Sequence, residues 1–237
     1  MNEMDTDLRN YLKQNHNQLT WKERIQIIDD IAGALEKVHI ENAIHRDLHS
    51  GNLLYVKNYS WRISDLGFCG PADKSPKSIY GNLPYIAPEV ISRKEYTFKS
   101  DIYSFAMLMW EISSGQPPFN NYKHDVNLAM SIINGMRPKI VSGTPVEYKN
   151  LMKQCWDADP SKRPDIKALI KKIKEIDLHY QNIPNESIQS EANNNSETNY
   201  TSSRLFTRLF TSKVHQFENM PEPRNATEGN ITSYLLF

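Results

Sequence analysis

The segments His45-Arg46-Asp47-Leu48-His49-Ser50-Gly51-Asn52 and Ile63-Ser64-Asp65-Leu66-Gly67 decide the reading of this chain. They set an Asp, an Asn and a second Asp at spacings that suit magnesium-assisted phosphoryl transfer. The four fixed residues of H-R-D-x-x-x-x-N arise by chance in about one random chain in a thousand of this length. Moving a phosphoryl group to a hydroxyl calls for a carboxylate near the attacking oxygen and for hard oxygen ligands on the metal ions that bridge the phosphates. Asp47 is the candidate base or aligner, and Asn52 and Asp65 are the candidate metal ligands. Taken singly, Asp47 and Asn52 would be ordinary turn formers, because their side chains readily bond nearby backbone.

The flanking pattern builds a scaffold for these residues. Thr20 and Glu23 form a capping-box signature, and Ile28, Ile31, Leu35 and Val38 recur at helical intervals, which predicts a buried helix over 21–39 leading into His45. Residues 53–56 and 61–64 read as two short strands joined by a polar turn. A hairpin of that kind brings Asn52 and Asp65 to one end. Residues 68–85 lack a period and read as a loop. Helices are expected over 100–114 with Gly115 as a stop, 125–134, 146–157, and 164–176 with Pro164 in the first turn.

The whole-chain figures are those of an ordinary globular protein. In 237 residues, 39% are hydrophobic and 24% charged, and 28 basic side chains balance 28 acidic ones. No overall field recruits nucleic acid or an anionic membrane, so neither is expected as a partner. The two cysteines, Cys69 and Cys155, have no metal-ligand spacing and read as free thiols of a reducing compartment. With no signal-like N-terminus and no run of about 18 apolar residues, the expected location is cytoplasmic. Residues 182–203 are almost entirely Asn, Ser, Glu, Thr and Gln, too polar to offset chain entropy, so 179–237 reads as a disordered tail. Its Leu205-Phe206-Thr207 and Leu209-Phe210-Thr211 repeat is either unstructured or a docking peptide.

These motifs resemble the catalytic loop and D-F-G element of eukaryotic protein kinases, with Leu66 in place of the usual Phe. The resemblance continues through Ala87-Pro88-Glu89, Asp101-Ile102-Tyr103-Ser104-Phe105, Cys155-Trp156 and Lys162-Arg163-Pro164, and its wording is nearest to the tyrosine-kinase-like group. It implies ATP and Mg as cofactors and a protein hydroxyl as acceptor. By resemblance, Asp47 is catalytic with Arg46 and His49 beside it. Asn52, Leu54, Asp65 and Asp7 face the nucleotide, while His45, Glu89, Asp101 and Arg163 are structural, with Glu89 pairing Arg163 and Asp101 bonding the catalytic-loop backbone. Asp7 is explained equally well as a solvated residue at a helix N-terminus. Ser75, Ser78 and Tyr80 are candidate phosphate acceptors for control through Arg46.

The implied fold is mainly α, a kinase-like C-lobe with a short β-hairpin, over residues 1–178. The N-lobe is expected to be absent, since no G-x-G-x-x-G occurs among the nine glycines and residues 1–8 look like a hinge remnant. Such a chain would bind ATP weakly, phosphorylate little unaided, and offer a partner the face where that lobe packs. Two functions therefore stand side by side, a protein kinase and a non-catalytic kinase-like interaction module. Ser/Thr against Tyr specificity is open. His49 stands where Ser/Thr kinases have a Lys, and Asn82 where they have a Thr.

Overall fold

The computed structural model describes residues 4–56, 60–71, 79–181, 211–217 and 220–225. Strand β1 (Met4–Asp7) runs into helix α1 (Leu8–Asn15), and α2 (Trp21–Ile40) leads to β2 (Ala43–Ile44) and the segment 45–52. Strands β3 (Leu53–Val56) and β4 (Ser60–Ile63) follow, then β5 (Gly70–Pro71) and β6 (Ile79–Gly81). The helical remainder is α3 (Pro88–Ile91), α4 (Phe98–Ser114), α5 (Val126–Ile133), α6 (Val146–Cys155) and α7 (Ile166–Gln181), and β7 (Lys213–His215) lies in the tail.

Local chemistry accounts for the helices that carry the site. At the start of α2, Thr20 N–H donates to Glu23 Oε2 at 2.7 Å while Glu23 N–H donates to Thr20 Oγ1 at 3.2 Å, satisfying two N-terminal donors at once. Ile25, Ile28, Ile31, Ala32 and Leu35 then form its buried stripe. Helix α4 is buried on every side from Ser100 to Ser113, which makes it the central element of the lobe. It stops at Gly115, whose φ of +73° closes the last turn in the left-handed region. Asp101 in its first turn is one of the few buried charges, and the positive end of the helix favours it.

Among the described residues three small sheets accompany the helices. Strands β3 and β4 pair antiparallel with Leu53 opposite Ile63, and β1 adds a third strand to that hairpin, with Asp7 opposite Leu54. Residues 4–7 are therefore strand as well as connection. Helix α1 follows because Asp7 accepts from Asn10 N–H at 2.9 Å and Leu8 and Leu12 are buried one turn apart.

The structure departs from the sequence reading at three places. The segment 68–85 is not loop throughout, since β5 pairs with β2 and β6 with β7. The boundary at 178 falls inside α7, which runs to Gln181. The expectation of a disordered tail fails at 211–217 and 220–225, which pack on the lobe with Phe217 buried and Met220 against the core. Composition predicted disorder because these residues lack a core of their own, yet they borrow one. The repeat at 205–210 and the candidate acceptors Ser75 and Ser78 lie outside the described residues. Among the described residues no helix is long and apolar enough to cross a membrane.

Candidate active site

The catalytic loop is tied to the lobe through its own backbone. Asp101 Oδ2 accepts from His45 N–H at 2.8 Å and from His39 Nε2 at 3.0 Å, while its Oδ1 accepts from Arg46 N–H at 3.0 Å. That last bond holds Arg46 at a φ of +69°, a conformation that costs a residue with a Cβ about 1–3 kcal/mol. Fully buried His45 ties the loop to the residue that follows β4. Its Nδ1 accepts from Asp47 N–H at 3.3 Å, so its Nε2–H donates to the Ser64 carbonyl at 3.2 Å. Asn52 completes the frame, donating from Nδ2 to the Asp47 carbonyl at 3.0 Å.

Asp47 is 3% exposed, and its two carboxylate oxygens differ. Oδ1 accepts from Asn82 N–H at 3.3 Å and from Ser212 Oγ–H at 2.7 Å, with His49 Nε2 at 3.7 Å. Oδ2 is buried with no hydrogen-bond partner among the described residues. Burial pushes the Asp47 carboxyl up, but His49, the Ser212 hydroxyl and His45 together hold it below its ordinary value. The group is a carboxylate near neutral pH, as a proton acceptor must be. Gly81 lets the chain pass this close, since its φ is +137° and a Cβ there would sit 3.3 Å from Asp47 Oδ1.

Asn52 ends just before β3, and Asp65 sits two residues beyond β4 with φ +55° and an exposed side chain. Ser64 N–H donates to the Asn52 carbonyl at 2.8 Å, which closes the two positions onto one end of the hairpin. An amide oxygen and a carboxylate are hard donors that fit magnesium. Leu54 stands beside them in β3. Asp7, opposite Leu54, spends its carboxylate on Asn10, whose Nδ2 donates to Oδ2 at 2.6 Å. Arg46 packs over Gly70 and 5.8 Å from the Tyr96 ring, and Tyr80 stacks on Phe68 at 3.7 Å.

Away from the centre, Glu89 and Arg163 form a two-pronged pair, Nη1 to Oε1 and Nη2 to Oε2 both at 2.7 Å, almost wholly buried. A second buried network lacks any motif. Glu111 accepts from Ser50 Oγ–H at 2.8 Å and from Tyr85 O–H at 2.5 Å, with Arg9 Nε donating to Ser50 at 3.2 Å. It fixes the residue after His49 and the ring beside it, and its members are scattered too widely in sequence to be read together. Ser212 is the other residue that the sequence did not single out. Neither thiol is a rival nucleophile, since burial pushes Cys69 up to about 11 and Cys155 to about 12. A hollow of about 560 Å³ between 220–225 and the Glu89–Thr97 side of the lobe contains none of the catalytic set.

Residues 3–173 match the family described as protein tyrosine and serine/threonine kinase. The dual specificity protein kinase zakA of Dictyostelium discoideum is 33% identical, covering 73% of this chain and 25% of its own length. Protein R818 of Acanthamoeba polyphaga mimivirus, named as a serine/threonine-protein kinase/receptor, is 33% identical over 71% of this chain and 10% of its own. A D. discoideum protein named as probable serine/threonine-protein kinase drkD is 30% identical over 76% of this chain and 14% of its own. The chain thus spans between about a tenth and a quarter of the length of these relatives. Since the match runs through the catalytic loop, the hairpin and the paired Glu89 and Arg163, the chain belongs to the protein tyrosine and serine/threonine kinase family.

Proposed function

We propose that this chain carries the substrate-facing half of a protein kinase of the tyrosine-kinase-like group, which transfers the γ-phosphate of ATP to a Ser or Thr hydroxyl of a protein. One observation supports this above the others: Asp47 is held as a buried carboxylate with Oδ1 at hydrogen-bond distance from a serine hydroxyl. In this reading Asp47 orients the acceptor and takes its proton, and His49 steadies the acceptor oxygen. Asn52 and Asp65 would hold magnesium, which when bound neutralises phosphate charge. Leu54 would lie under the adenine and Asp7 near the ribose. Arg46 would receive a regulatory phosphate from Ser75, Ser78 or Tyr80. The names of R818 and drkD favour Ser/Thr acceptors, while zakA is named as dual specificity.

The test uses the protein at its natural length with magnesium, radiolabelled ATP and a generic protein acceptor. Transfer should fall at least about a hundredfold in Asp47→Asn, which keeps the shape and loses the base. Equal transfer by the variant and the wild type would overturn the assignment.

A further inference from the structure

The tail segment enters the active site as a strand. In β7, Lys213, Val214 and His215 pair with Gly81, Tyr80 and Ile79 of β6, immediately before Asn82. His215 and Phe217 face the lobe and are buried, whereas Val214 and Gln216 are exposed, the alternation of a docked strand. His215 Nε2 lies 3.0 Å from the Gly81 carbonyl, Lys213 Nζ donates to the His124 carbonyl at 3.3 Å, and Arg93 Nε donates to the Phe217 carbonyl at 2.5 Å. Beyond it, Ser92 Oγ–H donates to the Pro221 carbonyl at 2.8 Å and Ala158 N–H to Asn225 Oδ1 at 2.9 Å. These anchors, all following Ser212 in the chain, fix its register.

That register delivers a polarised hydroxyl. Gly51 N–H donates to His49 Nδ1 at 3.1 Å, so the ring carries its proton on Nε2. Nε2–H therefore donates to Ser212 Oγ at 3.0 Å, and the Ser212 proton is directed to Asp47 Oδ1 at 2.7 Å. One lone pair of the oxygen takes the His49 bond and the other is left for attack.

We propose that Ser212 is a phosphate acceptor of its own chain's active site, with 211–217 seated as an intramolecular substrate. This rests on the kinase reading above. Ser212 Oγ bonds to the γ-phosphorus of a nucleoside triphosphate, and the bond from that phosphorus to the β,γ-bridging oxygen breaks. The nucleoside diphosphate leaves with the electron pair, and the hydroxyl proton passes to Asp47. Once Asp47 has released that proton to water, the product carries about −1.5 to −2 charge beside its carboxylate, so repulsion expels the strand and opens the groove to other proteins. Before transfer, the same strand excludes them.

The natural-length protein is incubated with magnesium and ATP in the presence of a generic protein acceptor, and phosphate on Ser212 is followed by mass spectrometry across a hundredfold range of protein concentration. The expected result is labelling of Ser212 at a rate independent of concentration, with none on a tagged Asp47→Asn chain mixed in. Without nucleotide, Ser212→Ala should shift the ¹⁵N resonance of His49 Nε2, which an undocked tail would leave unmoved. Transfer to the generic acceptor with Ser212 unlabelled overturns this proposal and leaves the kinase reading standing. Labelling proportional to concentration overturns the intramolecular step, and no transfer to either acceptor overturns both.

Discussion

The catalytic loop and the tail strand meet at Asp47 and are held there in opposite ways. The loop hangs from Asp101, His45 and Asn52, all buried, through bonds to its own backbone. The tail is held by two buried side chains, His215 and Phe217, and by surface contacts such as the exposed Lys94–Glu222 pair. Exposed pairs of that kind contribute little, whereas a buried charge that loses its acceptors is costly. The loop geometry is therefore part of the stability of the lobe, whereas the proposal makes the tail a ligand that the lobe can release.

The largest expected effect breaks the fixed side of this comparison. Glu89→Ala leaves Arg163 charged and unmatched at 1% exposure, which should cost about 3–5 kcal/mol and lower the melting temperature by about 10 °C or more. Asp101→Asn comes next. It removes the charge from an acceptor of three donors, and bonds to charged groups contribute about 1.5–3 kcal/mol, so melting temperature and turnover should fall together. A variant that lost turnover with unchanged melting would detach the loop from the lobe's stability.

The next test sharpens the other side. His215→Ala with Phe217→Ala should free the groove while the melting temperature stays within a few degrees, and the KM for an external peptide should fall about tenfold. A fall in melting temperature as large as that of Glu89→Ala would make the tail part of the core.

The smallest effect is a pH dependence of tail seating. Burial lowers His215 below its ordinary value, outweighing the Gly81 carbonyl bond that pulls the other way, so the seated strand prefers the neutral ring. Seating should be at full strength above the released value of about 6.5 and weaken as pH falls through and below it. Peptide access measured from pH 8 to 5.5 should rise on the acid side in the wild type and stay flat in His215→Gln.

How much of this was legible follows from where each signal lies. The H-R-D-x-x-x-x-N spacing, the Thr20 and Glu23 cap and the two strand patterns are local, and the structure has α2, β3 and β4 within a residue or two of the sequence reading. Asp7 carried two readings; it accepts from Asn10 as a cap of α1, and the ribose contact belongs to the proposal. The Glu111 network was illegible because Arg9, Ser50, Tyr85 and Glu111 share no motif. Strand β7 was illegible because three residues, one of them apolar, are too short a pattern, and pairing rather than propensity makes them a strand. Nor do the residue types alternate, since the apolar Val214 is exposed and His215 is buried.

Amide hydrogen exchange on the natural-length protein, wild type against the His215→Ala, Phe217→Ala variant, tests the contrast most directly because it reads both regions in one experiment. The account predicts that the amides of Ile79 and Gly81 in β6 exchange at least about tenfold faster in the variant, while those of 45–52, and of Tyr80 on the Tyr96 hydroxyl, keep their protection. Exchange that stays slow in β6, or that accelerates equally in the catalytic loop, would contradict a fixed site with a releasable strand.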